Sequence, residues 1–306
     1  MATRDFPIVG DSLALGYRFQ RHWNQSMANA FFFGELGAGM FLAAFLYGSL
    51  VGMIVGVLIT AILKTYFHLS HMGVPGRAWR AILRPDRSWI SRGAISIVFF
   101  TGAAVLYIAL GRLGLLEALG LADSAFGRGL LWVVQLAAVV FAIVVMVYHG
   151  FAIADSSAIS FWNTGLMPVS SFSYSFFSGL VVTMNLDPQA GAEAVGMMPP
   201  IHGAALIALV LTTVILAAML QAANRGAPGA RMSQRLLLRE GPYVKAFYGL
   251  VVLAGLVLPF ALLLAQPSRI GALLIAVGVL AGYYTFRTLV FKVGLYDPII
   301  SFAPES

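Results

Sequence analysis

Long apolar stretches separated by short polar segments dominate the pattern of the chain. An α-helix needs about 20 apolar residues to cross the hydrocarbon core of a bilayer. Eight stretches reach that length, at 27–47, 49–70, 92–112, 129–154, 166–186, 198–223, 243–266 and 269–292. The pattern therefore predicts an all-α integral membrane protein with eight transmembrane helices. We expect these helices to form two four-helix bundles within a single polytopic membrane domain over 1–306, which begins with a polar lead-in at 1–26.

Two of these assignments leave alternatives open. The first two spans meet at the break in FLYGSLVG, where Tyr47, Gly48 and Ser49 supply the turn, so they form either a tight hairpin or one continuous helix. The hairpin is favoured because a single helix of about 44 residues would be about twice as long as the bilayer is thick. The fifth stretch, 166–186, is rich in Ser and Phe. Without it, seven spans would remain.

Composition excludes a water-soluble globule. Hydrophobic residues make up 60% of the chain, charged residues make up 10%, and the mean hydropathy is +0.88. A soluble domain usually has about a quarter of its residues charged and could not bury this much apolar surface. The chain has no cysteine. That excludes disulfides, thiolate zinc sites, thiolate-held iron–sulfur clusters and cysteine nucleophiles within the chain.

The 19 Lys and Arg residues divide unequally between the two sides of the predicted topology. Eight spans place both termini on one side, together with the connections after spans two, four and six. Only Arg112, Arg128 and Arg269 fall on the other side, which leaves 16 of the 19 on the first. Because loops rich in Lys and Arg stay in the cytoplasm, we predict a multi-pass protein of the cytoplasmic (inner) membrane with both termini in the cytoplasm.

The basic face has a second interpretation. It could dock an acidic partner subunit, in whichever compartment that partner lies. The net charge of +7 is explained by either interpretation, and no nucleic acid partner is expected.

Glu35 is the one acidic residue well inside a predicted span. It lies in FFFGELGAGMF, where small residues allow helices to pack closely. An ionisable group at that depth is costly and usually faces a bundle interior, a polar cavity or a proton path. The structural alternative is a neutral, protonated side chain that is hydrogen-bonded to a neighbouring helix. The cost of burial favours the functional interpretation, so Glu35 is our candidate for proton exchange.

The stretch 67–93 combines histidines, arginines and tryptophans at the end of the second span. His68 and His71 are spaced i, i+3 and share a helix face. A histidine at a membrane interface can donate a hydrogen bond to a carbonyl oxygen and relay protons near neutral pH. The alternative is an interfacial anchor in which Trp79 and Trp89 are belt aromatics and the arginines set the topology. Composition alone leaves both interpretations open.

Three segments of the chain carry motifs of one known family. HMGVPGRAW followed by SWISRG resembles the His-Leu-Gly-x-Pro-x-Arg … Ser-Trp-x-Ser-Arg-Gly pattern of the NrfD-type membrane anchors. RHWNQSMANAFFFGELGAGMF resembles the Trp-containing lead into the Gly-Ala-Gly first helix of that family. ISFWNTGLMPVSSFSYSFFSG resembles its Trp-x-Thr … Pro … Gly segment between the fourth and fifth helices. With the eight-helix pattern, the resemblance covers nearly the whole chain.

The NrfD-type anchors belong to polysulfide reductase, dimethyl sulfoxide reductase and related complexes. The resemblance implies an integral subunit, without haem or an iron–sulfur cluster of its own, that binds ubiquinone or menaquinone near the end of its first helices. It implies electron exchange with a ferredoxin-like iron–sulfur subunit, which contacts a molybdenum or tungsten pterin catalytic subunit. With the quinone motif on the cytoplasmic side, the catalytic subunit is expected in the cytoplasm, and the family members with that arrangement include sulfite dehydrogenases and phenylacetyl-CoA:acceptor oxidoreductases. The lead-in around HWNQSMANAFF resembles the latter more.

The resemblance also assigns individual residues to the quinone. His71 stands at the motif histidine implicated in quinol binding, and Arg77 and Trp79 are its motif neighbours. Asn29 resembles the first-helix asparagine near the quinone in polysulfide-reductase-type members. The histidine that those members have about one turn later is replaced here by the phenylalanines at 31–33.

A second departure concerns the third helix. Dimethyl-sulfoxide-type anchors have an acidic residue at its start, where this chain has Arg92. These departures leave the proton acceptor open, and Glu35 takes that role on the physical argument alone. Arg287 lies about one turn inside the same end of span eight, where it can stabilise the Glu35 carboxylate or a partly reduced quinone.

Two other functions compete with the quinone-binding anchor. A proton-coupled secondary transporter would use Glu35 as its coupling group, but it should show related halves with matching helix breaks. Pro259 in span seven has no such counterpart in the first half. A haem b anchor needs axial histidines at matching depth on different helices. His149 and His202 lie at opposite depths, whereas His68 or His71 could pair with His149.

The topology gives the first testable prediction. A reporter fused after Ser306 should be active in the cytoplasm, because 16 of the 19 basic residues lie on the side that carries the termini. Paired fusions of alkaline phosphatase and a fluorescent protein measure this directly, and fusions between spans one and two serve as the control on the opposite side. A C-terminus outside the cytoplasm would contradict the assignment.

Overall fold

The computed structural model describes residues 17–191, 194–196, 198–265 and 267–297. Most of the predicted lead-in at 1–26 lies outside the described residues, as do Arg4, which belongs to the basic side, and Ser306.

Eight helices of the described residues are long and apolar enough to cross a membrane. They are α1 (Gln25–Leu46), α2 (Leu50–His71), α3 (Trp89–Arg112), α4 (Ala125–Ala154), α5 (Leu166–Leu186), α6 (Ile201–Arg225), α7 (Val244–Leu264) and α8 (Arg269–Lys292). Each matches a predicted span to within about one helical turn. The prediction of an all-α membrane protein with eight transmembrane helices is confirmed.

The first two helices form a tight hairpin. Gly48 has φ of 71°, in the left-handed region that a glycine adopts without a steric penalty. Ser49 then caps α2, because its side chain accepts a hydrogen bond of 3.2 Å from the backbone N–H of Gly52. The continuous helix that the sequence left open is therefore excluded.

The Ser-rich fifth stretch is a full transmembrane helix, α5, and most of it is buried inside the protein. Three of its serine hydroxyls are satisfied within the helix: Ser170 donates to Met167 O, Ser175 to Ser171 O and Ser178 to Tyr174 O. A serine bonded to its own helix backbone leaves no polar group unpaired in an apolar interior. The low hydropathy of this stretch thus reflects contact with other helices, and eight spans are present.

Glycines set the position of α1. A Cβ on Gly39 would collide with the carbonyl of Ser175 in α5, and a Cβ on Gly179 would collide with the backbone at Gly39. Gly37 lies in the same way against Gly56 and Thr60 of α2. Small residues let helix backbones approach closely in a membrane. The GELGAG segment therefore places Glu35 among other helices and away from lipid.

The two most enclosed helices are α1 and α5. Helix α1 contacts α2, α4, α5 and α8, and α5 contacts α1, α4, α6 and α8. Helix α3 packs mainly on α4, and α7 mainly on α8. Because α1 and α5 belong to different halves of the chain yet pack on each other, the division into two four-helix bundles stays a prediction.

A short antiparallel pairing ties the two ends of the described chain together. In it, β1 (Arg18–Phe19) pairs with β2 (Leu295–Tyr296). The segment before α1 and the segment after α8 therefore lie on one side, as an even number of spans requires. That side also carries a 3₁₀ helix (Pro75–Ile82) and an amphipathic helix (Pro228–Leu238).

The close crossing of α1 and α5 gives the second prediction. Gly39→Ala should lower the free energy of unfolding by about 1–3 kcal/mol, because the new methyl group has no space against Ser175. Gly102→Ala in α3 is the matched control, since a Cβ there meets nothing within 4 Å. It should leave stability unchanged or raise it by up to about 1 kcal/mol. Unfolding in detergent measures both, and equal effects would contradict the crossing.

Candidate functional site

A charged cluster lies at the centre of the helix bundle. Glu35 of α1 is fully buried, and its Oε2 accepts a hydrogen bond of 2.7 Å from Nε of Arg287 in α8. Tyr283, one turn earlier on α8, donates its hydroxyl to the same oxygen. Because residues four apart share a helix face, α8 presents both donors to the carboxylate. Arg287 also donates from Nη2 to Ser171 Oγ of α5, at 2.6 Å. We call these four residues the Glu35 cluster.

The other carboxylate oxygen faces α4. Oε1 of Glu35 lies 3.7 Å from Nδ1 of His149, which is also fully buried. The imidazole ring packs between Phe31 and Tyr148, with centroid distances of 4.3 and 3.8 Å. Lys64 of α2 is 4% exposed and lies beside this histidine, with its Nζ 5.9 Å from the centre of the Tyr148 ring. Four helices thus bring ionisable groups to one region.

A second polar group lies at the end of the same helices, where α1 begins and α2 ends. Nδ1 of His71 lies 3.0 Å from Oδ1 of Asn24, the residue that caps α1. The hydroxyl oxygens of Ser26 and Ser70 lie 2.6 Å apart, and each lies within hydrogen-bond distance of the Phe67 carbonyl, at 2.8 and 2.9 Å. We call Asn24, Ser26, Ser70 and His71 the outer polar group. It is partly exposed, unlike the Glu35 cluster.

Asn29 faces α8 and not the end of α2. Its Oδ1 accepts hydrogen bonds from Tyr284 OH at 2.9 Å and from Gln25 Nε2 at 3.2 Å. Gln25 also donates to Thr288 Oγ1 at 3.0 Å. Next to these side chains is a cavity of about 340 Å³ at the start of α1, and Asn24 lines it together with Gln25 and Thr288. The cavity therefore lies between the side chains that surround Asn29 and Asn24 of the outer polar group.

The remaining predicted residues lie apart from the Glu35 cluster. Arg77 and Trp79 are exposed on the 3₁₀ helix, Trp79 to 58%. Arg92 stacks on Trp89 at 4.4 Å and donates to the carbonyls of Pro85 and Asp86. Its side chain closes the loop before α3. Of the residues predicted from sequence, only Arg287 contacts Glu35.

This arrangement can be compared with known proteins. A family model described as "Polysulphide reductase, NrfD" matches residues 16–296. The chain belongs to the NrfD family. A search of the curated proteins finds no match to it. The resemblance seen in the three motifs is thereby confirmed, and this NrfD protein is a membrane subunit of polysulphide-reductase-type oxidoreductases.

The residues around His149 of this NrfD subunit do not fit a haem. Its two ring nitrogens are buried, Phe31 and Tyr148 pack at tilted angles against the ring, and Gly34 and Lys64 border its edge. A haem on either ring nitrogen would have to displace side chains from neighbouring helices. In the described part of the chain, no three His, Asp or Glu side chains are grouped so that they could hold a metal ion.

Sequence reasoning missed four members of this site: Tyr283, Ser171, His149 and Lys64. Lys64 carried a usable signal, because it lies seven residues before the end of an apolar span and an ionisable group at that depth is costly. The cost of burying an ionisable group therefore marks Lys64 as well as Glu35. Tyr283 also carried one, since it stands four residues before Arg287 on α8. Nothing in the sequence indicates which serine of α5 meets the guanidinium.

The buried ion pair gives the third prediction. Arg287→Met should destabilise this NrfD subunit by about 3–5 kcal/mol, because it leaves the Glu35 carboxylate without its cation in an apolar interior. Adding Glu35→Gln to that variant should recover much of the loss. Arg269→Met, at the exposed start of α8, is the control. Unfolding in detergent measures wild type, Glu35→Gln, Arg287→Met, the double variant and Arg269→Met, and additive losses in the double variant would contradict the pairing.

Proposed function

We propose that the chain is the quinone-reactive membrane anchor of a multisubunit oxidoreductase. In this proposal it exchanges electrons between ubiquinone or menaquinone and a ferredoxin-like iron–sulfur subunit. A molybdenum or tungsten pterin subunit beyond it carries the substrate chemistry. The observation that carries the proposal is the fully buried Glu35–Arg287 pair, which lies below a cavity at the start of α1 in a member of the NrfD family.

The groups at the start of α1 fit a quinone headgroup. A quinone carbonyl accepts hydrogen bonds. Gln25 lines the cavity and has amide N–H donors, and His71 contacts Asn24, which also lines it. Trp23 and Phe291 supply aromatic walls to it. When bound, the quinone would supply the two-electron, two-proton chemistry. The role of these side chains is to orient its carbonyls and to hold its protons.

Glu35 is the proton-exchanging group of this proposal, and it lies deeper in the membrane than the cavity. It lies eleven positions after Asn24, which is about 16 Å along the helix at about 1.5 Å per residue. A ring held by His71 therefore does not also contact the Glu35 carboxylate. Proton exchange between the headgroup and Glu35 has to pass through groups that lie between them. Arg287 keeps the carboxylate in place, and its guanidinium always remains charged.

The partners dock on the basic side in this proposal. The described segments before α1 and after α8 share that side through the pairing of β1 with β2. In this proposal that side is cytoplasmic, as the excess of Lys and Arg there predicts. The catalytic subunit would then be cytoplasmic, as in the sulfite dehydrogenase and phenylacetyl-CoA:acceptor oxidoreductase branches. Exposed arginines such as Arg77 offer acidic partner surfaces a complementary charge.

Substitution in the assembled complex gives the fourth prediction. His71→Ala and Glu35→Gln should each lower quinone-coupled turnover by about 100-fold or more. The first removes a group that binds the quinone, and the second removes a group that exchanges protons. Reduction of an artificial dye by the catalytic subunit should continue unchanged. His202→Ala is the matched control, since His202 is exposed at the start of α6 on the other side.

The complex is isolated through a tag on this chain, and turnover is followed with a soluble quinone analogue. Normal quinone kinetics in both variants would show that the quinone is bound elsewhere. Loss of dye activity as well would show that the substitutions had damaged assembly.

A further inference from the structure

We propose that one face of α2 carries protons between the basic side of the membrane and Glu35, through His68, Lys64 and His149. The inference rests on the proposed role of Glu35 as a proton-exchanging group, and it adds the route by which the proton arrives.

The first observation is a line of polar side chains on α2 that faces α1. Thr60, Lys64 and His68 are spaced by four residues, and His71 follows at the helix end. Their contacts show that this line runs along α1. Thr60 lies against Gly37, Lys64 against Gly34, and His71 against Asn24. The line therefore extends from the outer polar group to the level of the Glu35 cluster.

The second observation is the burial of Lys64. It is 4% exposed, so its ammonium group does not extend to the aqueous surface as a lysine near a helix end usually does. Within the described residues, no carboxylate lies at ion-pair distance from it. A lysine that only stabilises a fold in a membrane is normally paired. Lys64 also ends a six-residue π-helical segment (Ile59–Lys64), an irregularity frequent at functional sites.

The third observation is the space that Gly34 leaves between α1, α2 and α4. A Cβ at this position would lie 2.7 Å from Cε1 of His149 and 2.9 Å from Cγ of Lys64. The missing side chain therefore lets Lys64 and His149 come together beside α1. Nδ1 of His149 in turn lies 3.7 Å from Oε1 of Glu35. In the described residues, neither ring nitrogen of His149 forms a hydrogen bond.

The fourth observation links Lys64 to the aqueous side. His68 lies one turn nearer the helix end, and its Nδ1 is buried without a hydrogen-bond partner among the described residues. Beyond it are Ser70 and His71, which are partly exposed. His71, His68, Lys64 and His149 thus each have a titratable nitrogen, and among the described residues Nδ1 of His68 and both ring nitrogens of His149 have no hydrogen-bond partner.

The transfer balances without any electron. Lys64 passes one ammonium proton to His149, and His149 passes one to Glu35. The neutral amine of Lys64 regains a proton from His68, which takes one from the aqueous side. Each group returns to its starting state, and one proton has reached Glu35. The flexible stem of lysine lets its amine move between the two histidines. Tyr283 and Arg287 hold the carboxylate from the other side, and Tyr148 borders the path.

The test measures protonation of Glu35 in the full-length chain in lipid nanodiscs, without quinone or partners. A rapid pH step is followed by time-resolved infrared spectroscopy. The Glu35 signal is the one that Glu35→Gln lacks. Lys64→Met and His149→Gln should slow its protonation at least tenfold when rates are compared at equal protonated fractions. Lys64→His, which keeps a titratable nitrogen, should retain most of the rate. Lys245→Met removes an exposed lysine on the same side and should change nothing.

Equal rates in wild type, Lys64→Met and His149→Gln would overturn the route. So would a Lys64→His variant as slow as Lys64→Met, because the loss would then follow from shape and not from titration. A variant that does not fold is recognised by its unfolding temperature, and the remaining variants still decide the question. Failure of the quinone proposal would appear as absent quinone-coupled turnover, which this measurement does not use.

Discussion

The ion pair between Glu35 and Arg287 is the constraint on which the rest of the structure depends. It joins the first and last transmembrane helices, and its two residues are 252 positions apart in sequence. A carboxylate and a guanidinium can lie inside a bilayer only if helices enclose both and satisfy their hydrogen bonds. Helices α2, α4, α5 and α8 therefore surround α1, and Tyr283 and Ser171 add hydrogen bonds to Glu35 Oε2 and to Arg287 Nη2.

Features that look unrelated in the sequence follow from this enclosure. The glycines of α1 remove side chains where other backbones or side chains must come close: Gly39 faces α5, Gly37 faces α2, and Gly34 faces His149 and Lys64. Ser170, Ser175 and Ser178 help to keep α5, a helix with low hydropathy, compatible with an apolar interior, because their hydroxyls bond to the backbone of their own helix. Close packing and polar satisfaction are thus achieved by the same two helices.

The site consists of two polar regions and a connection. The outer polar group and the neighbouring cavity meet the membrane edge, where a quinone headgroup and an electron-transfer partner can both reach the chain. The Glu35 cluster lies about 16 Å deeper. In the proposed function, the outer polar group orients the quinone near the surface, and the Glu35 cluster holds the proton in the interior. The proposed route along α2 would couple the two.

The sequence by itself determined the class, the number of spans and their limits, because an apolar stretch must match the bilayer thickness wherever it occurs. It also identified the family through its local motifs and singled out Glu35 through the cost of burying charge. Only the tertiary structure decided which groups meet. Arg287, Tyr283 and His149 reach Glu35 from distant helices, Asn29 faces α8, and Lys64 turns inward beside Gly34. Helical periodicity gives each residue a face, but which helix packs on that face is set by contacts across the whole chain.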